Sequence, residues 1–477
     1  MNAVVANPNV IAVGPTIPTN IQVEGTISEV DDGDELIQAD ENLTLETASW
    51  LNDLATTWEH CPNRLLAMDK TSPDCTDPMT SPENLNLSDM MQADLDTLYF
   101  DRIYAFAPII HRGRYFSWAN QENPSSAQTC LRLAMWTLAS AVSTQFHNLK
   151  DKLHAVTLQS LQRADSHQRN IPWATGNIEL EEIQAWLLIA YYEFIREERH
   201  HVLVTATHAF RLVQQARLHT NGPVLGAEKG KDSFPSCPFG SGGNTNVSLE
   251  EKRRTFWLAF WLDRMLKARY DLMFTIQEEV IDVYLPTTEL SFQTSQLHRD
   301  THLTEAIVIS ERKSTSSCSF AENVVQMALY GRCMTHRRLA MLVLSGRRVS
   351  EKNSKEFWNR HSWLESAVEK FIQPLSDIAL DPWDPMTTFG HMLSRSAIIH
   401  LSETAATWTW QMAEHQSMAA KIEEKGYQAA MELANLTARL PRASYLKASS
   451  SISTHFARAY HHFPEEVYGS TQWRALD

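Results

Sequence analysis

Nineteen histidines, six cysteines and 57 carboxylates are raw material for metal binding, nucleophilic attack or proton transfer, and their spacing decides which is open. The cysteines stand at 61, 75, 130, 237, 318 and 333. None forms a Cys-x-x-Cys pair, so neither a zinc ribbon nor a redox dithiol is indicated. The close histidine pairs are His200-His201 and His461-His462. Adjacent residues face different sides of a helix, which is poor geometry for one metal ion, and neither pair has the i+3 or i+4 carboxylate–histidine set of helical metal sites. Gly226 to Ser233 (GAEKGKDS) has the outline of a phosphate loop. It is one residue short, and Asp232 stands where a hydroxyl must meet magnesium. No G-x-S-x-G elbow, H-E-x-x-H pair, dinucleotide fingerprint or EF-hand loop occurs. These patterns predict no enzyme, no metal and no cofactor.

Residues 250–286, EEKRRTFWLAFWLDRMLKARYDLMFTIQEEVIDVYLP, open with charge and then turn apolar at helical spacing, and Arg253, Arg254, Asp263 and Arg264 are the exceptions inside that run. Phe256, Trp257, Leu258, Phe260, Trp261, Leu262, Met265 and Leu266 exceed a single helical face, so this helix is expected to be buried on most sides. Arg254 and Asp263 are too far apart to pair within one turn, and the charges are expected to act as structural pins with partners from elsewhere. Ser248 is the expected N-cap, which places Glu250 and Glu251 in the first turn.

Scarce glycine and recurrent Leu, Ala, Met, Gln and Glu favour helices, and the fold class expected is all-α. A formal net charge of -15 disfavours a surface built throughout for nucleic acid, which needs clustered cations. One basic interval stands out, with Arg337, Arg338, Arg347, Arg348 and Lys352; a solvated face is the default, and a nuclear-import or weak nucleic-acid patch the alternative. No secretory signal and no run of about 18 apolar residues is present, so a soluble intracellular protein with no membrane contact is expected.

Residues 1–94 are acidic and proline-dotted, with Arg64 and Lys70 their only Lys or Arg, and are expected to be a largely disordered tail. It reads either as a solubilising tail or as an acidic-hydrophobic activation segment carrying Leu36, Leu43, Trp50 and Trp58 among carboxylates. Order is expected from Leu95. Leu98 to His111 reads as an aromatic helix stopped at Pro108, with Tyr99, Phe100 and a capping or packed His111. Helices are then expected at 127–146, 149–164, 179–196 and 201–219, with a long polar loop over 221–247 and further helices from 322 to 440.

Taken in order, three elements resemble one family. They are the Tyr99-Phe100 helix with Pro108 to His111, the pair containing Ile183-Gln-Ala-Trp-Leu-Leu188 and Ala209-Phe-Arg-Leu212, and Arg253-Arg254-x-x-Trp257 leading to Leu262-Asp-Arg264. The family is the middle homology region of fungal binuclear zinc-cluster transcription regulators, often called the fungal-specific transcription factor domain. The resemblance covers residues 95–290 and leaves 291–477 as a helical extension packed on that domain. It departs after Arg264, where Arg269-Tyr270-Asp271-Leu272 replaces a Gly-Arg-Pro-like turn.

The resemblance implies a nuclear regulator of a metabolic or secondary-metabolite gene set, with a cytoplasmic pool also compatible. It implies partners among other transcription regulators or coregulators, and allows a homo- or heterodimer. Such regulators usually begin with six cysteines holding two zinc ions, whereas only Cys61 and Cys75 precede residue 130 here. The expectation is a regulator without its own zinc cluster that reaches DNA through a partner. Its rivals are a zinc-cluster factor whose first exon is missing from the gene model, and a small-molecule sensor. The sensor would have an aromatic pocket between the Tyr99–Phe106 and Trp257–Trp261 segments.

Overall fold

A computed structural model describes residue 85 and residues 87–169, 178–220, 245–295, 301–308, 318–345, 351–372 and 384–439. They fall in one unit spanning Asp77–Asp477. The expected tail up to residue 84 with Cys61 and Cys75, the Gly226 to Ser233 loop, Cys237, Arg347, Arg348 and the 461–462 histidines lie outside the described residues.

The described residues form helices α1 Asp89–Leu98, α2 Arg112–Ala119, α3 Ser126–Val142, α4 Lys150–Arg169, α5 Leu180–Ile195, α6 Arg199–Gln215 and α7 Thr245–Tyr270. They continue as α8 Glu289–Gln293, α9 Leu303–Val308, α10 Ser319–Ser345, α11 Glu351–Glu369, α12 Pro385–Ala406 and α13 Ala413–Arg439. The fold is all-α, and two isolated bridges, Thr220 with Asp282 and Tyr284 with His302, are its extended pairings among the described residues.

Local sequence accounts for several helix boundaries. Ser125 and Gln128 form a reciprocal capping box at the start of α3. Asp384 caps α12, with Pro385 in the first turn, where its missing N–H costs nothing. α5 and α6 both end in Schellman turns: Glu198 N–H donates to Glu193 O at 3.2 Å, and Leu218 N–H to Val213 O at 3.1 Å. Each turn needs a left-handed residue, supplied by Glu197 (φ 62°) and Arg217 (φ 54°) in place of glycine. Replacing exposed Arg217 by glycine is therefore expected to raise stability by about 0.5 kcal/mol in urea unfolding, the relief of strain exceeding glycine's entropy cost.

Helix α3 packs on α4 and α5, and α5 on α6; α7 touches α5 and α6 on one side and α10 on the other; α12 packs against α10, α11 and α13. One apolar core runs continuously through these elements. Helix α5 is buried from Leu180 to Phe194, and α7 buries Phe256 to Leu262 on every side, as its all-round apolar sequence requires.

Three local expectations fail. α7 begins at Thr245, so Ser248 lies inside the helix and Glu250 and Glu251 are past the first turn. Their carboxylates are buried and held by arginines, so ion pairing, not the helix dipole, fixes them. Order also starts ahead of Leu95, because Ser88 caps α1 by accepting from Met91 N–H. The aromatic segment after Leu98 is not a continuous α-helix to Pro108. It widens into a π turn, Tyr99–Ile103, which buries Tyr99, Phe100 and Ile103 together.

Candidate functional site

The charges on α7 are organised by the chain that follows it. From Thr275 to Glu289 this strap runs back along the helix, and its partners recede from residue 263 to residue 250. Asp263 accepts from Thr275 N–H at 3.0 Å and Ile276 N–H at 3.2 Å. Trp257 Nε1 donates to Tyr284 O at 2.7 Å. Glu250 accepts from Thr287 N–H at 2.8 Å.

Arg254 is the centre of this arrangement and is 1% exposed. Its guanidinium donates to Glu250 at 3.0 Å, Glu289 at 2.8 Å, Pro108 O at 2.9 Å and Thr287 O at 2.9 Å, and lies 4.1 Å over the Phe292 ring. Planar Arg geometry suits such a multi-donor junction, where Lys would supply only a point charge. Arg253 pairs with Glu250 at 3.1 Å and lies over Tyr284.

The expected signature residues Tyr99, Phe100, Pro108 and His111 border the same region. His111 caps α2: its Nδ1 accepts from Arg114 N–H at 3.0 Å, and its own backbone N–H donates to Glu251 at 2.9 Å. Arg114 in turn bridges Glu251 and Glu181. Tyr99 and Phe100 are core aromatics packed edge to face, and burial raises the Tyr99 hydroxyl well above its ordinary value. Trp257 and Phe260 also lie in the core, with their ring centres 5.2 Å apart.

A further acidic centre was not legible in advance. Asp96, 4% exposed, accepts from Tyr115 Oη, from Trp136 Nε1 at 2.7 Å and from Arg132 Nη2 at 2.9 Å. Asp96 is one of three aspartates on α1, with Asp89 and Asp94, and local spacing does not single it out. Asp96→Ala leaves two buried donors, Tyr115 and Trp136, without this acceptor and Arg132 without its ion pair, and is expected to cost about 2–3 kcal/mol in chemical denaturation.

The basic interval is divided. Arg337 pairs with Glu403 of α12 at 2.6 Å, and Arg338 is exposed.

A large cavity of about 1140 Å³ opens where the strap begins, between it, α9, α10 and α11. Its wall includes Arg264, Phe274, Ile276, Leu339 and Trp363. Arg264 is 2% exposed, with its guanidinium 3.5 Å from the Phe260 ring centre and 4.7 Å from that of Phe274. Burial pulls its pKa down to about 10, with Asp263 opposing, so it stays cationic at neutral pH. Gly331 of α10 lets it pass: a Cβ there would sit 3.3 Å from Arg264 Cγ and 3.5 Å from Phe274 Cζ. His336, also on the wall, lies 3.3 Å from His361, and burial lowers their pKa values to about 4 and about 3, so both are neutral. Among the described residues, no three His, Cys, Asp or Glu side chains gather as a metal site, and no helix is long and apolar enough to cross a membrane.

A helical bundle whose buried charges join distant segments, with an open cavity at its edge, has the build of a binding domain. The chain belongs to the fungal specific transcription factor domain family, which it matches over residues 97–368. It is 36% identical to an abscisic acid cluster transcription factor of Leptosphaeria maculans, the match covering 79% of this chain and 66% of that one. It is 37% identical to a sorbicillinoid biosynthetic cluster transcription factor of Penicillium rubens, covering 77% and 63% respectively. An asperfuranone cluster transcription factor of Emericella nidulans is 39% identical, covering 68% and 50%. The chain thus spans about half to two thirds of the length of these curated relatives. No solved structure matches it.

Proposed function

We propose that this chain regulates transcription of a fungal secondary-metabolite gene set from the nucleus, through its helical domain and a partner factor that supplies contact with DNA. The family match over residues 97–368, joined to relatives described as biosynthetic-cluster transcription factors, is the observation that carries the reading. Partner-delivered DNA contact is supported by the formal net charge of -15, which disfavours a surface built throughout for phosphate contacts. We assign the regulatory domain to residues 95–290, with 291–477 as a helical extension and 1–94 as an acidic tail.

Chromatin recovery of the tagged protein, paired with binding of the purified chain to the recovered DNA, tests the proposal. Occupancy in cells without direct binding in vitro is the expected result. Tight, salt-sensitive direct binding overturns the partner, and absence of occupancy under producing conditions overturns the regulatory role. Upstream coding sequence with six cysteines decides for a zinc-cluster factor.

A further inference from the structure

The cavity at the start of the strap holds a buried cation with donors to spare. Among the described residues, Arg264 makes one hydrogen bond, from Nη1 to Asp263 at 2.9 Å. Asp263 is itself shared with the backbone N–H groups of Thr275 and Ile276, so it cannot satisfy the rest of the guanidinium. Arg264 Nε and Nη2 have no protein acceptor among the described residues, although the side chain is almost wholly buried and forms part of the cavity wall. A guanidinium in an apolar setting with unused donors is costly unless an acceptor arrives.

The rest of the wall sets what such an acceptor can be attached to. Ile276 and Leu339 are aliphatic, and Trp363 is 46% exposed at the mouth, where the Arg332 guanidinium lies 5.4 Å from its ring centre. Arg332 is engaged by Glu278, with Nε at 3.1 Å, and Glu279 is exposed on the same rim. Those carboxylates disfavour a second negative charge at the mouth. The volume lies just above the 300–1,000 Å³ range of ordinary ligand pockets.

We propose that this cavity binds a small amphipathic monoanion, its carboxylate or equivalent acidic oxygen on Arg264 and its apolar, ring-bearing body between Ile276, Leu339 and Trp363. The inference deepens the regulatory reading by naming an effector class, and the strap joins this site directly to α7. It is tested on purified protein, so it can fail while the transcriptional role stands, and chromatin occupancy can fail while binding stands.

Isothermal titration of the full chain with 2-naphthoate and its neutral analogue 2-naphthamide provides the test. Naphthoate should bind roughly tenfold tighter or more, the value of a charge-assisted pair in a partly dry site. Arg264→Met should erase that preference. Leu339→Trp, at an exposed position on the wall, should narrow the cavity where the ring-bearing body sits and weaken naphthoate binding without lowering the unfolding temperature, which keeps the test decisive if Arg264→Met fails to fold. Equal affinity for the two probes, no heat with either, or naphthoate binding unchanged in Leu339→Trp overturns the proposal.

Discussion

Arg254→Met should cost about 3–5 kcal/mol of folding stability, because it removes the cation from a buried junction and leaves its acceptors behind. Glu250 is the chief casualty: its side chain is 7% exposed and one of its oxygens faces the vacated position. The carbonyls of Pro108 and Thr287 lose their donor as well. Glu289 is half-exposed and can turn to water, so it adds little. Urea unfolding followed by circular dichroism measures the loss. The double variant Arg254→Met/Glu250→Gln should recover part of it, since Glu250, left with Arg253 and the Thr287 N–H, is a buried carboxylate short of one cation. A loss below about 1 kcal/mol would mean that the junction is solvated and the account is wrong.

Trp257→Ala should be of comparable size, about 3–5 kcal/mol, for a different reason. The indole is fully buried against Phe256 at 5.1 Å and Phe260 at 5.2 Å, so its removal opens a cavity at the middle of α7. It also frees the Tyr284 carbonyl from its donor and loosens the strap. Trp257→Phe keeps most of the volume and loses only the hydrogen bond, and should cost about 1–2 kcal/mol. Equal losses in the two variants would show that the hydrogen bond, and not the packed volume, carries the effect.

Much of this architecture can be read from residue order. The all-round apolar run in α7 and the α5–α6 pair follow from local pattern, because burial leaves a signature in hydrophobic spacing. What local pattern does not carry is the identity of long-range acceptors. Glu289 and Thr287 lie in a segment with no periodicity, Pro108 contributes a backbone carbonyl, and Asp96 draws donors from α2 and α3. The start of α7 was misplaced for a related reason. Ser248 is a good capping residue, but the helix starts at Thr245, and of the arginines that hold Glu250 and Glu251, Arg254 stands at a legible i+4 spacing whereas Arg114 comes from a distant segment. The cavity has no local signature either, since its walls take a few residues each from α7, the strap, α9, α10 and α11.

Because one guanidinium serves acceptors from three stretches of chain, the positions involved cannot change independently. Losing Arg254 alone leaves Glu250 with Arg253 and the Thr287 N–H but short of its most buried cation, and losing Glu250 alone leaves a buried cation short of its most enclosed partner. A lineage can leave this state only by passing through a chain that folds poorly or by changing both positions at once. Positions 250 and 254 are therefore expected to be inherited as a set, with the exposed position 289 drifting more freely.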